Sequence, residues 1–82
     1  MVVKLLVTAK DGVPDPQART KADEMVERGY EVHSVKQGKY FELQIDTEDE
    51  AQARTIADEV AGKLLANPVI EQYEIIEVVK NT

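Results

Sequence analysis

The 82-residue sequence predicts a two-layer α+β domain with the element order β-α-β-β-α-β. Three observations carry that expectation. Short runs with β-branched residues recur at four places, two apolar stripes with helical spacing lie between them, and glycines, prolines and an Asn-Pro pair punctuate the joints. Elements in this order pack as an antiparallel sheet with two helices on one face, the ferredoxin-like arrangement.

The first strand is VVKLLVTA, Val2–Ala9. Val3, Leu5 and Val7 share one face; Val2, Lys4, Leu6 and Thr8 share the other, where Leu6 is the apolar exception. KDGVPDP follows. Asp15 is a good N-cap and Pro16 suits the first helical position, where no N–H is needed. Ala18, Ala22, Met25 and Val26 form one helical stripe, and Gly29 stands where a glycine ends helices. EVHSVK (Glu31–Lys36) and KYFELQID (Lys39–Asp46) flank Gln37-Gly38, a two-residue hairpin signal with Gly38 in the turn. Phe41, Leu43 and Ile45 share a parity in the second of these strands. In the first, Val32 and Val35 have opposite parity, which suggests a bulge or a twisted edge.

Thr47 and Glu50 have the spacing of a capping box. Ala53, Ile56, Ala57, Val60, Ala61, Leu64 and Leu65 then make a wide apolar stripe, with Gly62 a mark of close helix–sheet approach. Asn67-Pro68 stops this helix, because proline disfavours helical geometry in the residue before it. The last strand, Val69 to about Val79, carries Val69, Tyr73, Ile75 and Val79 on one parity and Ile70, Ile76 and Val78 on the other. Helices can cover one face only. The open face is therefore expected to hold Leu6, Tyr40, Ile70, Ile76 and Val78, an apolar patch of the kind that marks an interface, here with a second copy of the chain.

Composition narrows function by exclusion. Ten Lys plus Arg against sixteen Asp plus Glu give a net charge of −6, and the cations are scattered, which argues against nucleic acid and anionic membranes. There is no cysteine for a disulfide, a thiolate metal site or a thiol nucleophile. No apolar run reaches the ~20 residues of a membrane helix, and a single cytoplasmic domain over residues 1–82 is the expectation. His33, the only histidine, has no metal-ligand spacing around it; Asp46, Glu48, Asp49 and Glu50 read as helix capping and lack the spacing of a calcium loop. Glu71, Glu74 and Glu77 scatter over both faces of a strand. No catalytic, metal or cofactor-binding residue is expected. Among rival functions for this fold, an acylphosphatase-like enzyme lacks an arginine in DGVPDPQ, and an RNA-recognition module lacks its stacking aromatics. An ACT-like dimer that senses small molecules through a turn such as Asp11-Gly12 stays open as the alternative.

Three segments together carry a family resemblance: VPDPQ (Val13–Gln17), VKQGKYFEL (Val35–Leu43) and LLANPVIEQYEI (Leu64–Ile75). In this order and spacing the chain resembles the PurS family, small subunits of phosphoribosylformylglycinamidine (FGAM) synthase. Lys36 stands where the family more often has arginine, so bidentate geometry is lost there. The resemblance implies a non-catalytic subunit of an ATP- and glutamine-dependent ligase complex in de novo purine biosynthesis. It implies a homodimer that joins a glutaminase subunit to a synthetase subunit and supports ammonia transfer between them, with ATP and magnesium held by the synthetase subunit. Carried onto this sequence, it makes Asp15, Pro16, Gln17, Gly38, Lys39, Asn67 and Pro68 candidate partner contacts. Capping explains Asp15 and Pro16 equally well; it does not explain Gln17.

Overall fold

Period-two alternation sends Val3, Leu5 and Val7 into the interior, where each is at most 1 % exposed, and makes Val2–Ala9 the central strand, β1. The computed structural model describes residues 1–80. β2 (Gly38–Gln44) runs antiparallel along one side of β1 and β3 (Glu71–Val79) along the other, giving the strand order β2-β1-β3. Two helices, α1 (Pro16–Glu27) and α2 (Glu50–Val60), complete the α+β fold, and a π-helical turn (Ala61–Leu65) extends α2. The start of the chain is fastened as well: the Met1 amino group donates to the carbonyls of Ile45 and Thr47 at 2.8 and 2.9 Å.

The core lies between the sheet and α2. Ala53, Ala57 and Ala61 are fully buried, so the helix backbone comes close to Val3, Leu5 and Val7, while Phe41, Leu43, Ile56, Leu65, Tyr73, Ile75 and Val78 pack around them. α1 contributes no residue to this cluster. Its stripe buries Ala18 but leaves Val26 58 % exposed. The two layers are thus unequal, with α2 seated on the sheet and α1 heading an arm. The radius of gyration is 16.0 Å and the principal extents are 49 × 30 × 13 Å, whereas a compact chain of this length has a radius of about 12 Å.

The expected strand Glu31–Lys36 is not in the sheet. Val32 and Val35 lie on opposite parities, so this stretch offers no apolar face to a ladder, and it returns beside α1 without assigned sheet pairing. The hairpin turn expected at Gln37-Gly38 is absent for the same reason. Gly38 has no positive φ and opens β2 opposite Thr8. A Cβ at Gly38 would collide with the Val7 carbonyl oxygen and approach Thr8 Cγ2 at 2.8 Å, so glycine is needed for close strand approach rather than for a turn.

The caps of α1 form as expected. The Asp15 carboxylate accepts from the Ala18 N–H at 3.2 Å, and Pro16 begins the helix. Gly29 has φ +89°; its N–H donates to Val26 and that of Tyr30 to Met25, each at 3.0 Å, the Schellman pattern. The capping box at Thr47 and Glu50 does not form. Asp49 is the N-cap of α2, accepting from Ala51 N–H at 2.9 Å, and the Thr47 hydroxyl accepts from the Asp49 N–H and donates to Gln52. Two residues with capping ability stood close together, and the nearer one won. Nor is Gly62 a forced close approach: a Cβ there would meet Tyr73 at 3.9 Å, an ordinary contact. The π turn also changes the phase of the stripe. Ala66 N–H donates to Ala61 at 2.9 Å, an i→i−5 bond, and the extra residue per turn leaves Leu64 78 % exposed.

Candidate functional site

The three segments that carry the resemblance converge at one end of the sheet, where β1 finishes and β2 and β3 begin. Thr8 faces Gly38 on one side and Gln72 on the other, and Ala9 faces Glu71. Asp15, Gln17, Gly38 and Lys39 line one cleft of ≈ 430 Å³ there, with Thr8, Gln37 and Glu71. Helix capping places Asp15. Gln17, one residue into α1, accepts from Gln37 Nε2 at 3.1 Å, while Gln37 Oε1 accepts from Lys21 Nζ at 2.6 Å. These side chains tie the returning arm to α1 and aim its end at the sheet.

Asn67-Pro68 forms the adjoining wall. Asn67 N–H donates to Glu71 Oε1 at 2.8 Å, Asn67 Oδ1 accepts from Val69 N–H at 3.1 Å, and the Asn67 carbonyl accepts from Glu71 N–H at 2.7 Å. Lys10 anchors this turn to the end of β1: its Nζ donates to the Pro68 carbonyl and its N–H to Ile70 at 2.9 Å. The joint between helix and strand is therefore a fixed shape. Lys10, Gln37 and Glu71 are the residues that sequence reasoning did not assign to this site. Only Glu71, four residues after Asn67 and able to reach back to its N–H, left a readable signal.

A second surface is the open face of the sheet. Leu6 stands between Tyr40 and Glu74 there. Between Lys4↔Glu77 and Leu5↔Ile75 the register of β3 slips by one residue, so Ile76 is an extra residue on that face, 53 % exposed. The bulge corrects two expectations. Val78 lies opposite Val3 and packs on the core, whereas Val79, opposite Val2, moves to the open face. Ile70 belongs to the turn before β3 and not to the sheet. The apolar patch is thus Leu6, Tyr40 and Ile76 with Val2 and Val79, crossed by the Lys4–Glu77 ion pair at 3.7 Å. The Tyr40 hydroxyl donates to Glu42 Oε1 at 3.0 Å; partial desolvation, together with the Glu42 carboxylate, raises its pKa above the usual phenol value.

Chemically, the sheet end offers amides, a capped carboxylate, a lysine and a rigid turn. Among the described residues, no group of three His, Cys, Asp or Glu could hold a metal ion, and no helix is long and apolar enough to cross a membrane. His33 and Ser34 are exposed on the arm. Lys36 makes a 3.7 Å ion pair with the exposed Asp11. Such an arrangement can recognise a surface.

Comparison with known proteins shows the family. The sequence profile of PurS, described as phosphoribosylformylglycinamidine (FGAM) synthase, matches residues 2–79. The phosphoribosylformylglycinamidine synthase subunit PurS of Bacillus subtilis is 41 % identical over 80 residues, covering 94 % of each chain. The structure of Thermus thermophilus PurS superposes with a TM-score of 0.86 at 32 % identity, covering 99 % of this chain and 96 % of that one. The structure of PurLQS from Thermotoga maritima contains a chain that superposes with a TM-score of 0.82 at 30 % identity, over 95 % of this chain and 99 % of that one.

Proposed function

We propose that this chain, which belongs to the PurS family of phosphoribosylformylglycinamidine synthase subunits, serves in purine biosynthesis as the assembly subunit that joins a glutaminase subunit to a synthetase subunit. The observation that carries this reading is the convergence of Asp15, Gln17, Gly38 and Lys39 on one cleft beside the Asn67-Pro68 turn. Residues far apart in sequence and without reactive chemistry are brought to one rigid edge, which is what a docking surface needs. ATP and magnesium belong to the synthetase subunit in this reading, and the assembly works in the cytoplasm.

Ammonia explains why a separate bridge is useful. In bulk water at neutral pH it is mostly protonated and diffuses away. A protein contact that closes the path between two sites keeps it deprotonated and local.

The subunit acts as a homodimer. Large apolar side chains left open on one chain support this: Tyr40 and Ile76, beside half-buried Leu6, on the sheet, and Val26 on α1. A second copy covers both. Sedimentation should give a dimer at micromolar concentration, and Leu6→Glu should give a folded monomer; a wild-type monomer would refute the pairing. For assembly, glutamine-dependent FGAM formation is measured with and without this chain while ammonia-dependent formation serves as the control. Gln17→Ala combined with Lys39→Glu should lower the first at least about tenfold and spare the second. Equal glutamine-dependent rates without the chain would end the assembly reading.

A further inference from the structure

We infer that residues 31–36 form a strand on the free β2 edge of a second copy, whose own arm does the same in return. This rests on the homodimer reading and says how the two chains meet. Among the described residues, no backbone hydrogen bond joins residues 31–36 to the rest of the chain. The bonds that close α1 end at Tyr30, and the ladder to β1 starts at Gly38. A stretch whose amides and carbonyls are all unused must bond to water or to a ladder outside its own chain. The longest extent of the chain, 49 Å, exceeds the ~30 Å spanned by a strand as long as β3. The remaining ~20 Å is what residues 31–36 span when extended. The arm therefore projects past the end of the sheet.

Two edges of the sheet are free, that of β2 and that of β3. β3 carries the one-residue bulge at Ile76, which breaks the spacing an added strand must match. β2 pairs with β1 without interruption from Gly38 to Gln44, and its Phe41 and Leu43 are only half-buried. Gln37 alone separates the arm from β2. A two-fold axis at that joint sets the arm of each copy antiparallel to β2 of the other, an isologous contact that closes at two chains. The parity of the arm fits this place. Val32 and Val35 point to opposite faces and so give the arm no apolar side within one chain. Beside β2 of a second copy, one valine joins the Phe41–Leu43 face and the other joins the Tyr40 face. The strand missing from the order β-α-β-β-α-β is thus supplied in trans. Because Gln37, Gly38 and Lys39 line the sheet-end cleft, the same axis brings the two clefts together, and the second copy's arm borders each of them.

The test uses dimers mixed from isotope-labelled and unlabelled copies of the full chain, in which filtered NOE spectra record contacts between chains only. Backbone contacts are expected between residues 31–36 of one copy and Lys39–Gln44 of the other. A dimer with no such contacts, or with contacts from the arm to Glu71–Val79 instead, overturns the inference and leaves the homodimer reading standing. A wild-type monomer in sedimentation overturns both. Proline substitution gives a second measurement. N–H groups along a strand point alternately to its two sides, so one of His33→Pro and Ser34→Pro must remove a bond between the chains. That variant should raise the dimer dissociation constant at least about tenfold, while both variants keep the slow amide exchange of the β1–β2 ladder. Unchanged dimerisation in both overturns the inference.

Discussion

α1 and α2 are nearly the same length and are started by the same device, an aspartate that accepts from the first free N–H groups. They end up in different circumstances. α2 lays Ala53, Ala57 and Ala61 on the sheet with no exposure at all, whereas α1 buries one alanine and carries Val26 in the open. The first helix is held by its caps and by the Gln17–Gln37–Lys21 bonds, the second by packing. Local signals are enough to make a helix, but only burial decides where it sits.

The largest effect expected from this contrast comes from Leu5→Ala beneath α2, which should cost about 2–5 kcal/mol in denaturant unfolding. Val26→Ala on α1 should stay within about 0.5 kcal/mol for the isolated chain. In the dimer, where a second copy covers Val26, the loss should be larger and should grow with protein concentration.

Gly38→Ala is next. The added methyl meets the Val7 carbonyl, and β1 and β2 must separate, so a loss of about 1–3 kcal/mol is expected. The caps follow: Asp49→Ala and Asp15→Ala should each cost about 0.5–2 kcal/mol. The first should lower the global unfolding midpoint. The second should appear chiefly as faster amide exchange within α1, and equal global effects would contradict the difference between the helices. Gly62→Ala has room for its methyl and should gain about 0.5–1 kcal/mol.

The smallest effect lies at alkaline pH. Tyr73, partly desolvated beside Asp58, and Tyr40, partly desolvated beside Glu42, both have phenol pKa values raised above their ordinary value near 10. Their contribution to stability is complete below the unfolded-state value and is lost as pH rises through the folded values, because the unfolded chain ionises first. Midpoints should be flat from neutrality to about pH 10 and fall beyond it, with a shallower fall in Tyr73→Phe.

The parts of the fold legible in the sequence were those fixed locally: the period of β1, Asp15 and Pro16 opening α1, Gly29 closing it, and Asn67-Pro68 ending the second helix. What escaped were shifts of phase. A one-residue bulge at Ile76 exchanged the faces of Val78 and Val79, and a π turn swung Leu64 outward. Neither has a compositional mark, because a strand or helix with one residue too many reads like one without it. The sheet-end cleft was half legible. Asp15, Gln17, Gly38 and Lys39 stood out through resemblance, but their meeting depends on the arm at Gln37, which sequence had placed in a hairpin.

The strand order has a kinetic consequence. β1 is the middle of the sheet, yet its partners start at Gly38 and Glu71, and Val2 must find Val79 across nearly the whole chain. Such distant pairing is slow, because a large loop must close before any contact repays it. While the chain is being made, Val3, Leu5 and Val7 wait uncovered until the final strand has left the ribosome. A chain in which β1 is still unpaired exposes an apolar strand and is prone to aggregate.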